Sequence, residues 1–75
     1  MKIKMNVKLI KIDVSTAWAV RFLEQTGTLN IQNGTFIFEA AENWIFLRGN
    51  IVNKSFTNST VRIETETNAF TFEIL

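Results

Sequence analysis

The sequence predicts an all-β domain, a single small antiparallel sheet of about six to seven strands bent into a partly open barrel or roll. Three observations predict it. Valine, isoleucine and threonine supply 23 of the 75 residues, and seven phenylalanines and two tryptophans add to the preference for strand. Proline is absent, so no position is barred from donating to a ladder. Asn33-Gly34, a favoured pair for a two-residue type I′ turn, sits between two alternating apolar runs. The length allows one domain, residues 1–75. Nothing in the chain reads as a linker or a low-complexity stretch.

The clearest element is the hairpin TLNIQ-NG-TFIFE. Placing Asn33-Gly34 at its tip sets Gln32 against Thr35, Ile31 against Phe36 and Leu29 against Phe38. Leu29, Ile31, Phe36 and Phe38 then share one face, while Thr28, Asn30, Gln32, Thr35 and Ile37 share the other. Toward the N-terminus Ile3, Met5, Val7 and Leu9 alternate with Lys2, Lys4, Asn6 and Lys8, after which the phase shifts to Ile10 and Ile12. A phase shift inside one strand implies a β-bulge near Leu9-Ile10. The run VSTAWAVRFLEQ reads as a strand with Trp18, Val20 and Phe22 on one face, because its apolar residues scatter around a helical wheel. At the C-terminus Val61, Ile63 and Thr65 alternate with Arg62, Glu64 and Glu66. A tight turn at Asn68-Ala69 would set Thr65 against Phe72, Ile63 against Ile74 and Glu64 against Glu73, the last a mildly unfavourable pair.

The composition excludes several kinds of chemistry. There is no cysteine and no histidine, which removes disulfide scaffolds, the usual zinc sites, Cys–His and Ser–His nucleophiles, and a histidine pH switch. No glycine-rich phosphate loop and no metal-ligand spacing of carboxylates occurs, and no carboxylate pair has an evident apolar pocket to separate its pKa values. The expectation is therefore a protein that is not an enzyme, needs no cofactor or metal and takes no small-molecule substrate. No apolar stretch is long enough for a signal peptide or a membrane helix, so a cytoplasmic location is expected. Three sequons, at Asn33, Asn53 and Asn58, read as by-products of an asparagine- and threonine-rich composition. That composition would also suit a small phage or mobile-element protein.

What remains is binding. Trp44-Ile45-Phe46-Leu47 is apolar on both faces of a strand, so one pair must look away from the core. With Ile37 it forms an apolar patch, covered by the chain itself or by a partner. The expected partner-binding residues are Ile37, Trp44, Phe46 and Trp18, and the expected partner is another protein or a second copy, giving a homo-oligomer. The alternative uses the lysines of the first strand, Lys2, Lys4 and Lys8 with Lys11 beyond the bulge, to hold nucleic acid or an anionic membrane surface. The formal net charge of +1 argues against a dedicated nucleic-acid binder, and lysine on a strand also discourages edge-to-edge aggregation.

From Gly27 onward, GTLNIQNGTFIFEA, WIFLRGNIVNKSF and STVRIETETNAFTFEI resemble the pleckstrin-homology-like superfamily, in particular GRAM and small bacterial PH-type domains. The shared features are a glycine-led G-x-L-x-(I/V) strand, a tight turn into an x-F-x-F strand, and a closing I-x-T-x-x-x-x-F-x-F hairpin. The resemblance covers 49 residues, to Leu75. It implies a PH-like roll without the C-terminal helix that plugs one open end in those domains. That end would have to be filled by the N-terminal half, a partner or a second copy. The basic loop that some members use for phosphoinositides has no residue-by-residue match here, so the resemblance implies no site residues.

Overall fold

The alternating N-terminal segment forms the longest strand, β1 (Lys2–Ile12), and the rest of the sheet is laid on its two sides. The structure, a computed structural model, describes residues 2–13, 19–41 and 46–75. After β1 come a 3-10 turn (Ala19–Phe22), β2 (Thr26–Gln32), β3 (Thr35–Ala40), β4 (Phe46–Asn50), β5 (Asn53–Phe56), β6 (Thr60–Glu64) and β7 (Ala69–Ile74). The seven strands make one antiparallel sheet in the order β4-β3-β2-β1-β7-β6-β5, which is not closed into a barrel. This is the all-β, partly open architecture that the sequence predicts.

Two facts show how strongly the sheet curls. Phe36 on β3 lies 5.8 Å from Phe70 on β7, and Phe38 lies 5.2 Å from Phe72, measured between ring centroids. In a flat sheet β3 and β7 would stand three strand spacings apart, about 14 Å. The two outermost strands are also consecutive in the chain. Asn50 ends β4 and Asn53 begins β5, so at most about 11 Å of backbone joins edges that a flat sheet would hold about 29 Å apart. The Ile51 N–H donates to the Gly34 carbonyl (2.7 Å), while the Val52 N–H donates to the Glu64 carbonyl (2.8 Å). The chain thus leaves one edge and joins the other within two residues.

The Asn33-Gly34 turn forms as expected, with φ of 52° and 77° and the registers Gln32–Thr35, Ile31–Phe36 and Leu29–Phe38. Leu29, Ile31, Phe36 and Phe38 are buried and Ile37 faces out. In β1 the register against β7 slips between Leu9 and Lys11, leaving Ile10 as the bulged residue. The slip resets the phase. Leu9 opposite Phe72 and Ile12 opposite Phe70 both point inward, and Lys11 returns to the outer face.

Two sequence expectations are corrected. VSTAWAVRFLEQ is not a strand where it is described; from Ala19 it is the 3-10 turn. Residues three apart eclipse in that geometry, so Ala19 and Phe22 are both buried while Val20 is 49% exposed. The Phe22 ring meets Phe38 edge-on at 6.3 Å, which closes one end of the roll with the β1–β2 connection. Trp18 lies outside the described residues. The second correction is the C-terminal register. Ile63 faces Phe70 rather than Ile74, Val61 faces Phe72, and Glu64 faces Ala69 rather than Glu73. The turn comes earlier, over Thr65–Asn68, because the Thr65 hydroxyl accepts from the Asn68 N–H (3.0 Å) and the Thr65 N–H donates to the Asn68 carbonyl (2.8 Å). The shift is an even number of residues, so the apolar face is unchanged and the like-charge pair is avoided.

Candidate binding surface

On the outer face of β1 to β4, the cross-strand registers arrange side chains in rows. Lys2, Gln32, Thr35 and Asn50 form one row, and Lys4, Asn30, Ile37 and Arg48 form the next. Asn6, Thr28, Glu39 and Phe46 form a third. Strand alternation puts Phe46 and Arg48 outward because Leu47 between them is fully buried. Ile37 is 38% exposed and Phe46 55%. A shallow depression of ≈ 500 Å³ runs across these rows, lined by Lys2, Lys4, Asn30, Gln32, Ile37, Glu39, Phe46 and Arg48. A smaller one, ≈ 220 Å³, lies between β4 and the β6–β7 turn.

The groove's charge is unbalanced. Among the described residues its wall carries three cations against one carboxylate. Elsewhere Lys8 pairs with Glu24 (3.1 Å), Lys11 with Asp13 (3.3 Å) and Arg62 with the same Asp13, while Arg21 and Lys54 stand singly among the described residues, away from the groove. Among the described residues Lys2, Lys4 and Arg48 make no ion pair. The Arg62 guanidinium, with Lys11 beside it, holds the Asp13 carboxyl below its usual pKa against the smaller opposing effect of desolvation.

The groove joins parts of two expected sites. Ile37 and Phe46 from the apolar patch meet Lys2 and Lys4 from the basic strand. Lys8 shares their outer face but is engaged with Glu24, and Lys11 sits beyond the bulge with Asp13. Trp44 and Trp18 lie outside the described residues, as does Ile45. Sequence reasoning missed Arg48. The signal that could have found it is its spacing of two from Phe46, which assigns both to one face. Among the described residues no helix is long and apolar enough to cross a membrane, and no cluster of acidic side chains could hold a metal ion.

Fold and surface together define a class of protein, a small single-sheet β-roll with a basic groove on its convex side. Comparison with family models, with curated proteins and with solved structures finds no match to this chain.

Proposed function

We propose that the protein is a non-catalytic binding module that docks an anionic partner in the outer groove of β1 to β4. The observation that carries this reading is the convergence of three cations, Lys2, Lys4 and Arg48, none of them ion-paired among the described residues, on two exposed apolar side chains, Ile37 and Phe46. Charge supplies attraction and orientation, and the apolar pair supplies contact area once water is displaced. A non-catalytic role is supported by the lack of cysteine and histidine in the sequence. It is also supported by Asp13, whose ion pairs keep it charged instead of poising it as an acid. A cytoplasmic setting goes with this reading.

The test is retention on a heparin matrix. Reversing charge at Lys2, Lys4 and Arg48 together should lower the eluting salt much more than reversing Lys11, Arg21 and Lys54. Equal shifts would mean that net charge, not this groove, holds polyanions. A second reading, self-association through Ile37 and Phe46, is favoured by their exposure. Light scattering over a tenfold concentration range checks it, and a mass fixed at one chain removes it.

A further inference from the structure

The make-up of the groove narrows the partner further, on the premise that the groove is the docking surface. A protein–protein interface core is about two-thirds apolar and depleted in lysine. Here, of the eight described residues that line it, Ile37 and Phe46 are apolar, and the rest are two lysines, an arginine, two amides and a glutamate. A surface this polar and this positive matches nucleic acid better than it matches protein. The groove is also shallow and lies on a sheet face, and among the described residues it presents one exposed ring, that of Phe46, beside Arg48. Duplex DNA offers its bases only at groove edges, and its major groove admits a helix or a two-stranded ribbon, narrower than the outer face of four strands. A single strand offers unstacked bases that can lie on an aromatic ring, with its phosphates turned to cations at the margin.

We infer that the groove binds single-stranded nucleic acid, with a base stacked on Phe46 and the backbone held by Lys2, Lys4 and Arg48. Lys2 and Lys4 stand two residues apart on β1, about 7 Å, and Arg48 stands three strands away across the face, in the same row as Lys4. The strand therefore crosses β1 to β4 instead of running along one of them. Asn30 and Gln32, placed between the cations and the ring, have amide groups that both donate and accept, so they can meet base edges without strong preference.

The probe is a fluorescein-labelled oligothymidylate of about 15 nucleotides, followed by anisotropy through a rising salt series. Three cations at about 0.7 each give an expected slope of log K against log salt near −2. Lys4→Gln or Arg48→Gln should each reduce that slope by about 0.7. Phe46→Ala should weaken binding about 5- to 150-fold, the range found when a stacking aromatic is removed. Phe46→Leu keeps the apolar contact and removes the ring, so it should weaken binding too. Phe46 is more than half exposed and both variants should fold, which circular dichroism verifies.

Unchanged affinity in Phe46→Leu, or equal affinity for the matching duplex, overturns the inference. So does binding to phosphatidylserine vesicles or to a poly-glutamate peptide without binding to the oligonucleotide. In those cases a groove-dependent heparin retention would still stand, and the docking reading would survive the loss of this one. Retention independent of the groove would remove both.

Discussion

Phe22 tests whether the β1–β2 connection is a structural stopper or a passing loop. Its ring is 2% exposed and packs edge-on against Phe38, in the core layer that also holds Phe72. Replacing a buried phenylalanine with alanine costs about 3–5 kcal/mol, from lost transfer and from the cavity left behind. A 75-residue domain is worth roughly 4–11 kcal/mol in total, so Phe22→Ala should remove from about a quarter of that stability to all of it. Phe22→Leu keeps most of the apolar area and loses the ring pair, which sets its cost at about 1 kcal/mol. Val20, half exposed on the same turn, is the control, and Val20→Ala should cost no more than about 0.5 kcal/mol. Urea unfolding followed by circular dichroism measures all three, with the slope m constant if the unfolded state is unaffected. A cost below about 1 kcal/mol for Phe22→Ala, or equal costs at Phe22 and Val20, would refute the stopper.

Three further outcomes follow from local geometry. A Cβ at Gly27 would sit 2.0 Å from the Glu39 carbonyl oxygen, a backbone atom that cannot swing aside. Gly27→Ala should cost about 3 kcal/mol, visible as a fall in Tm, whereas Gly49→Ala first meets the Phe36 ring at 3.4 Å and should cost less than about 1 kcal/mol. Thr65→Val removes the acceptor for the N–H of buried Asn68 and should cost about 1–3 kcal/mol, while Thr57→Val in the exposed sister turn should cost less. The lowered pKa of Asp13 stabilises the fold above the unfolded carboxyl value near 4 and is lost as pH falls through the folded one. The urea midpoint of wild type should therefore drop on acidification below about pH 4, and Asp13→Asn should flatten that drop while lowering the midpoint at pH 7.

The β2–β3 hairpin was legible because two independent signals agree there. The left-handed pair at Asn33-Gly34 fixes the register, and alternation fixes the face. The bulge at Ile10 was legible because a strand's period of two makes any slip visible. The C-terminal hairpin shows the limit of that reasoning. Alternation is blind to shifts of four residues, and the observed register goes with a Thr65–Asn68 turn in which the Thr65 hydroxyl serves as a backbone acceptor. The 3-10 turn was illegible for a different reason. What bends the chain at Ala19–Phe22 is the open end of a roll that exists only once distant strands have paired. The groove lies between these cases. Each of its rows could be read from alternation, but bringing Lys2 and Lys4 of β1 onto the same surface as Arg48 of β4 needs the strand order.

The open seam is imposed by the same short link that curls the sheet. If Ile51 and Val52 were an ordinary two-residue hairpin loop, Asn50 would pair with Asn53 and the edges would zip into a barrel. Instead Asn50 pairs with Thr35 and Asn53 with Glu64, and the link's two N–H groups donate to opposite edges. β4 and β5 are thus committed to different neighbours from their first paired residue, and each keeps an unpaired side. Such edges invite other strands, and β5 is blunted in the ways edges usually are. It is four residues long, carries Lys54 at its centre, and has the Asn53 side chain tied to Glu64 (3.0 Å). β4 carries Arg48 as its charge and exposes Phe46 at its start, as β5 exposes Phe56 at its end. The β4 edge is the one that borders the basic groove, where an occupant resting on Phe46 and Arg48 would also shield it.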